Sequence, residues 1–446
     1  MDIYQDIARC HVVSATLNER DWLQRYLTLD PPKRSAYKTY PIRLYRGANV
    51  HFGTGLLISI QTAAREAGIV INITDGRIDP PPLDPTADTS WLYDYQERAL
   101  HISLERKTGL LWLPTGSGKT EIAIALANSV KGEWLFLVHR ATLADQAAER
   151  YKQRTGKTAG RVRGGTWTGL RKSERFTVAT FQSLWRHRNK PIVRDMLSQI
   201  RGIIVDEAHT AAAKTYHELI MQTVKANYRI GLSGTPLNRT DNKSAFVVSA
   251  LGPPIFKLEA GELIDKGVIA KPNITMVKIH QPPAERPTVY NTVYESHVVK
   301  SAIRNGAIVN MLRQAPKPAL VFVRKLNHGR KLAAMISASG MECDLVTGKD
   351  FTESRERKIK NLKKGKTDVL VCTVVFQEGV DIPDLRTVVI ASGGSSVIAA
   401  LQRIGRGMRV SDNKSSCIVI DVHDTGEYFL ENQSKKRKKD KIENEI

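Results

Sequence analysis

Cysteine is scarce in this 446-residue chain: Cys10, Cys343, Cys372 and Cys417 stand far apart, and no CxxC pair occurs. A disulfide framework or a cysteine metal centre is therefore not expected, and a reducing compartment suits the composition. Long apolar runs are missing too. Without a stretch of 18 or more apolar residues, no membrane-spanning helix is expected. The N-terminus, MDIYQDIARC, lacks the basic and apolar regions of a signal peptide. A soluble, unexported, cytoplasmic chain is the expectation. Acidic charge is also short, with 45 Asp and Glu against 67 Lys and Arg, a formal charge of +22. That imbalance favours a polyanionic partner, nucleic acid ahead of an anionic membrane.

What is present is apolar material, 41% of the residues, enough for two or three domains. Residues 1–88 end in the proline-rich IDPPPLDPTADTS, which reads as a linker. Before it, HFGTGLLISIQTAAREAGIVINI predicts a glycine turn, an amphipathic helix to Ala67, a stop at Gly68 and a β-branched strand from Ile69 to Ile73. A small α+β domain follows from that pattern. KRSAYKTYPIRLYR, Lys33 to Arg46, interleaves basic and aromatic residues; phosphate contacts with stacking suit it, and so does a solvated sheet face.

From Trp91 to Gly252, the strand-like runs LLWL, WLFLV, TVAT, GIIVD and RIGLS alternate with helical or loop segments, predicting βαβ units and a parallel sheet. Gly252-Pro253-Pro254 opens a connecting region that includes QPPAERP. ALVFV, ECDLV, DVLVCT, TVVIA and CIVIDV then repeat the alternation, so a second α/β lobe of similar design is expected, without a sequence repeat. The tail SKKRKKDKIENEI reads as a disordered charge block, either a nucleic-acid arm or a solubilising end. The expected divisions are 1–88, 89–258, 259–433 and 434–446.

LPTGSGKTE follows an apolar run and precedes the helical EIAIALANSV, the strand, loop and helix order of a phosphate-binding P-loop. Thr115, Gly116, Ser117 and Gly118 would turn backbone N–H groups toward phosphate oxygens. Lys119 would reach the β and γ phosphates of ATP, and Thr120 would ligate Mg²⁺. Leu113 stands where the general pattern has glycine. RGIIVDEAHT places Asp206 and Glu207 at a strand end, where ligands of open α/β sheets bind. Asp206 suits Mg²⁺, and Glu207 suits orienting and deprotonating an attacking water. Neither an NKxD-like guanine element nor an LSGGQ-like signature occurs, which disfavours a GTPase and a transporter motor.

With LPTGSGKT, DEAH, LSGTP and QRIGRGMR in that order, residues 90–425 resemble the superfamily-two helicases and translocases. The resemblance implies an α/β fold of two tandem RecA-like lobes with ATP between them, here behind a small N-terminal α+β domain. It implies ATP hydrolysis coupled to movement on nucleic acid. Gln96 in YDYQERAL resembles the adenine contact. VHRATLADQ and VATFQSL resemble backbone-gripping motifs, through His139 and Arg140, Thr180 and Gln182. Ser233 and Thr235 of LSGTP resemble the link between ATP and the nucleic-acid track. In the second lobe, ALVFVRK and LVTGKD imply backbone contacts at Arg324, Lys325, Thr347 and Gly348. CTVVFQEGVDIPDL implies a phosphate contact at Thr373, with Gly379 and Asp381 facing the nucleotide.

QRIGRGMR alone is compatible with a basic helix face, although Gly405 and Gly407 each cost about 1 kcal/mol there relative to alanine. By resemblance, Arg406 and Arg409 are finger residues on the γ-phosphate, Gln402 lines the same cleft, and Arg403 receives no role. DEAH-type RNA helicases usually carry QRAGRAGR and a PRR-type element, where this chain has QRIGRGMR and VHRATL. EGVDIPDL, QRIGRGMR and the Tyr-Gln element are more similar to the XPB-like and UvsW-like DNA helicases. YRGANVHFGTGLLISIQTAAREAGIVINITDGR resembles the small damage-recognition-like domain that precedes the motor in that group. A phage-type branch-migration helicase acting on forked or branched DNA in recombination, repair or replication is what this implies, located in the host cytoplasm if phage-encoded. A duplex translocase and an RNA helicase are the alternatives.

Overall fold

A computed structural model describes the chain apart from residues 30–41, 48–49, 169–174, 235–236, 238–242, 270, 284–288, 349, 374–381, 383, 394–415 and 444–446. At 271–272, 352 and 436–443 it describes the backbone alone. Most of KRSAYKTYPIRLYR, all of QRIGRGMR, and Thr235, Gly379 and Asp381 lie outside the described residues.

Near-continuous apolar runs suit strands covered on both faces, as parallel sheets require. Trp134–Val138 and Phe176–Thr180 are such strands, buried at every position. They belong to an eight-stranded sheet in the spatial order Thr166–Thr168, Gly160–Arg163, Phe176–Thr180, Trp134–Val138, Gly202–Asp206, Tyr228–Ser233, Thr108–Trp112, Pro254–Lys257. Every neighbouring pair is parallel except the Gly160–Arg163 and Thr166–Thr168 hairpin. Helices cover the sheet through apolar stripes. Ala141–Thr155 buries Leu143, Ala144, Ala147, Ala148 and Tyr151, a spacing of three and four that places them on one face. Pro254–Lys257 falls where the sequence suggested only a connection. Its proline is the first strand residue, where a missing N–H is tolerated.

This sheet shares the unit Met1–Leu258 with a five-stranded sheet ordered Tyr45–Arg46, His51–Gly53, Arg9–Ser14, Asp2–Gln5, Asn72–Asp75. Ile3, Val12, Leu23, Phe52, Leu57 and Ile60 form its core. The helix Leu57–Glu66 ends as predicted near Ala67, but the strand after it begins at Asn72 rather than Ile69. Gly68, at φ +70°, donates its N–H to Arg65, and Ile69 donates to Ala64. Those two bonds form a Schellman cap, which withdraws Ile69 from strand pairing.

The proline-rich stretch is not a free linker. Leu83 bridges Val130, Asp84 Oδ2 accepts from Arg175 Nη1 at 2.9 Å, and the carbonyls of Ile78 and Asp79 accept from Asn227 and Arg201. Proline removes donors but leaves carbonyls, and the lobe's own side chains fill them.

The unit Glu259–Ile446 holds a six-stranded, all-parallel sheet in the order Lys271–His280, Ser416–Thr425, Thr387–Ile390, Ala319–Val323, Val369–Thr373, Cys343–Val346. Lys271–His280, within the expected connecting segment, pairs along its whole length with Ser416–Thr425. Its core gathers Ile308, Leu312, Val321, Val323, Leu332 and Ile336. Under it lies a buried ion pair, Arg304 Nε to Asp424 Oδ1 at 2.9 Å. The C-terminal charge block, expected to be disordered, continues the helix Tyr428–Glu443. Leu430 is buried, and Ser434 Oγ accepts the Asp424 N–H at 3.2 Å, so tertiary contacts anchor a helix that charge repulsion alone would oppose.

Candidate nucleotide and nucleic-acid sites

Parallel register puts the motif-bearing strand ends of the first sheet on one edge. Trp112 pairs with Ser233, Leu232 with Asp206, Val205 with Leu137, and Val138 with Thr180. The edge is the carboxyl one, where an open α/β sheet binds ligands. Thr108–Trp112 runs into the glycine loop, and Gly202–Asp206 ends in the acids two strands away.

The loop turns through Gly116 at φ +90° and Gly118 at φ +77°, and Gly118 caps the helix Lys119–Ser129. A side chain on Gly118 would collide with Gln96 Nε2. Ser117 Oγ donates to the Pro114 carbonyl at 2.8 Å, closing the turn. Lys119 Nζ donates to the carbonyls of Leu113 and Pro114 at 3.2 and 3.4 Å. The ammonium thus lies along the loop, and a phosphate oxygen would displace the neutral carbonyls because its negative charge adds Coulomb attraction to the hydrogen bond. Glycine backbone, helix N-terminus and lysine together fit a nucleotide's phosphates.

Gln96 is 2% exposed, and its amide bridges the loop to the preceding turn. Nε2 donates to the Ser117 carbonyl at 2.9 Å, while Oε1 accepts the Tyr93 N–H at 3.0 Å. Tyr93 and Tyr95 stack beside it, with ring centroids 5.8 Å apart.

Glu207 adopts the left-handed backbone region at φ +49°, a strain of about 1–2 kcal/mol for a residue with a Cβ. Its carboxylate lies 3.4 Å from His209 Nδ1, which is 3.3 Å from Ser233 Oγ. Burial alone would raise the Glu207 carboxyl. Hydrogen bonding to His209 and the charges of Lys119, His209 and His139 outweigh it and hold Glu207 below the ordinary range. Thus Lys119, His139 and Glu207 share one electrostatic neighbourhood, and Asp206 precedes Glu207 on the strand end. Trp112 Nε1 donates to the Gly234 carbonyl at 2.6 Å, fixing the start of the LSGTP segment against the phosphate-loop strand. The sequence assigned roles to neither His209 nor Trp112. His209 was legible only as the last letter of DEAH, and Trp112 as one strand residue among several.

Among the backbone-gripping candidates of this unit, Arg140 caps Ala141–Thr155 and Gln182 is exposed. Thr180 is buried, with its hydroxyl donated to Ser183 Oγ at 2.9 Å, and Ser183 Oγ also accepts the Gly164 N–H. Between Tyr151 and Ile200 stand 12 Lys and Arg against two acids, Glu174 and Asp195. By contrast, residues 1–88 carry ten basic and ten acidic residues.

In the second unit, Val323 pairs with Thr373, and Cys372 with Val346, so Arg324, Lys325, Thr347, Gly348 and Thr373 again share a carboxyl edge. Arg324 is exposed and Lys325 half-buried. The Thr347 hydroxyl donates to Asp350 Oδ2 at 2.8 Å, and Lys358 Nζ meets Asp350 Oδ1 at 2.7 Å.

Residues 90–238 match the family described as "Type III restriction enzyme, res subunit", and residues 303–411 match "Helicase conserved C-terminal domain". A helicase of Sulfolobus islandicus filamentous virus is 29% identical over 353 residues, covering 74% of this chain and 62% of the viral one. The Sulfurisphaera tokodaii DNA 3'-5' translocase XPB2 is 25% identical, covering 81% of this chain and 88% of its own. The Hef helicase domain of Pyrococcus furiosus superposes with a TM-score of 0.53 at 17% identity, over 76% of this chain and 96% of that domain, a likeness of fold. This chain spans 62%, 54% and 52% of the length of three curated relatives. With two parallel α/β sheets, a phosphate loop, a DEAH strand end and both family matches in sequence order, the chain belongs to the superfamily-two helicases.

Proposed function

We propose that the chain is an ATP- and Mg²⁺-dependent DNA helicase that moves 3′ to 5′ and remodels branched DNA, such as forks and junctions. The observation that carries this reading is the meeting of Gly118, Lys119 and the Asp206–Glu207 pair on one sheet edge. The direction rests on the printed name of the Sulfurisphaera relative. The preference for branched DNA rests on the likeness to the UvsW-like group.

When bound, Mg²⁺ and ATP supply the electrophilic γ-phosphorus and a stabilised diphosphate leaving group. Thr115, Gly116, Ser117 and Gly118 orient the phosphates through backbone N–H groups. Lys119 moves from carbonyl partners to phosphate oxygens, and Thr120 with Asp206 holds the cation. Glu207 orients and deprotonates the attacking water through a carboxylate that its neighbours keep charged. Because His209 touches both Glu207 and Ser233, a change in charge at Glu207 reaches Ser233. Gln96 positions the loop and has an amide suited to an adenine edge. By the resemblance of their motifs, Arg406 and Arg409 would supply positive charge at the γ-phosphate, Gln402 would add a neutral amide beside them, and Gly379 and Asp381 would face the nucleotide. His139, Arg140, Thr180, Gln182, Arg324, Lys325, Thr347, Gly348 and Thr373 follow the DNA backbone. Residues 1–88 grip duplex.

The test measures ATP turnover with and without DNA, and strand displacement on duplexes with a 3′ or 5′ tail, on forks and on four-way junctions. DNA-stimulated turnover with faster displacement from 3′-tailed and branched substrates supports the proposal; stimulation by RNA alone overturns it. The Sulfurisphaera name also favours a second reading, a duplex translocase. Triplex displacement without strand displacement would select that reading.

A further inference from the structure

Tyr294 belongs to no motif of the sequence, yet it joins two strand ends of the second sheet. We propose that Tyr294 is a positioning residue that couples nucleic-acid contact at Arg324 and Lys325 to the strand leading toward QRIGRGMR, and that Glu295 sets how readily Lys325 engages a phosphate. The inference rests on the helicase reading above, within which it assigns an internal link.

Tyr294 closes the short helix Tyr290–Tyr294, which widens into a π turn over Glu295–Val299. Such turns occur often at functional positions. The residue is 1% exposed. Its hydroxyl donates to the Ser392 carbonyl at 2.6 Å, and its ring packs against the side chains of Arg324 and Lys325. Arg324 directly follows the strand Ala319–Val323, and Ser392 lies just beyond Thr387–Ile390, its parallel neighbour. One side chain therefore joins two adjacent strand exits, through its hydroxyl at Ser392 and its ring at Arg324. Burial raises the phenol's pKa, so the donor stays protonated at any working pH.

The same exit is held from a second helix. Arg304, fully buried and paired with Asp424, donates Nη1 to the Ala391 carbonyl at 2.9 Å. Ala391 and Ser392 are thus pinned in succession, and the chain continues from there toward Gln402. A pull on Arg324 has a direct path to this point through the Tyr294 ring and hydroxyl.

Above the ring, the Arg324 guanidinium lies 5.7 Å and the Lys325 ammonium 5.3 Å from its centroid, within cation–π range. Lys325 Nζ also meets Glu295 Oε2 at 2.9 Å, with both side chains partly exposed. A phosphate must compete with Glu295 for that ammonium. The ring orients two cations, the hydroxyl transmits their displacement, and the carboxylate opposes their capture.

The experiment uses the full chain as wild type, Y294F and E295Q, with a short single-stranded DNA as probe. Melting temperature, DNA affinity, basal turnover and DNA-stimulated turnover are measured. Y294F is expected to keep DNA affinity within about two-fold and basal turnover unchanged, while stimulated kcat falls about ten-fold, the scale of one buried hydrogen bond. E295Q is expected to bind DNA a few-fold more tightly, with a steeper salt dependence. Stimulated kcat at wild-type level in a well-folded Y294F overturns the coupling. Equal losses of affinity and stimulation in Y294F also overturn it, because Tyr294 would then only support the contact. If Y294F melts early, E295Q decides, since it alters a partly exposed pair; unchanged or weaker binding there counts against the proposal. A wild type without nucleic-acid stimulation refutes the helicase reading itself, whereas a stimulated wild type with an indifferent Y294F refutes only this link.

Discussion

At the carboxyl edge of the first parallel sheet, Asp206 and Glu207 stand two strands from Lys119. At the corresponding edge of the second stand Arg324, Lys325, Thr347 and Thr373. Acids occur at the second edge as well, but Glu295 and Asp350 are each paired with a lysine, at 2.9 and 2.7 Å. Glu207 instead faces a histidine at 3.4 Å and keeps its carboxylate directed toward the phosphate loop's neighbourhood. The two sheets share a topology, so the difference lies in what each strand carries one or two residues beyond its end. One edge combines a phosphate cradle with a charged acid and suits chemistry. The other combines cations, hydroxyls and neutralised acids and suits grip.

The sharpest way to break that contrast is E207Q, which keeps the shape and removes the charge. Turnover is expected to fall about 10²–10⁴-fold, the range for a lost acid–base group, with DNA binding preserved. A variant that turned over normally would erase the distinction between the edges. K119A should lower kcat/KM for ATP by about 10²–10³-fold through the loss of preorganised charge; a nucleotide titration with a fluorescent analogue would show whether binding falls with it. On the second edge, R324A or K325A should leave basal turnover intact. Each should flatten the plot of log affinity against log salt by about one contact's worth, a slope change of about 1. Equal losses of basal turnover would place chemistry on the second edge too.

The smallest effect concerns acid sensitivity. Burial lowers His217 from 6.5 to about 4 and His328 from 6.5 to about 3, so both are neutral in the folded chain at neutral pH. The unfolded chain binds their protons first, so stability falls as pH drops from about 6.5 through these values. Melting curves across that window should slope downward on acidification, and His217→Asn should reduce the slope. An unchanged slope would show that this histidine is not buried neutral.

Much of the first edge was legible because its parts are local. The strand, glycine loop and helix around Lys119 occupy adjacent residues, and the four apolar residues before Asp206 announce a strand end. Other features depended on distant partners. Ile69 to Ile71 looked like strand until the Schellman cap at Gly68 took the backbone. The proline-rich stretch looked like a linker because the donors that hold it, Asn227, Arg201 and Arg175, lie far along the chain. The lysine-rich tail looked unstructured, although Leu430 and Ser434 anchor its helix.

The sequence by itself determined the order of the motifs, the two parallel sheets and the strand, glycine loop and helix around Lys119, since apolar periodicity and short spacings act within a few residues of one another. Only the tertiary structure decided that Gln96 bonds to Ser117, that His209 stands between Glu207 and Ser233, and that Tyr294 bridges Arg324 and Ser392. Those contacts join segments 21 to 98 residues apart, apart from the His209 pair with Glu207. Pairings of that kind arise from packing and burial, which no local pattern encodes.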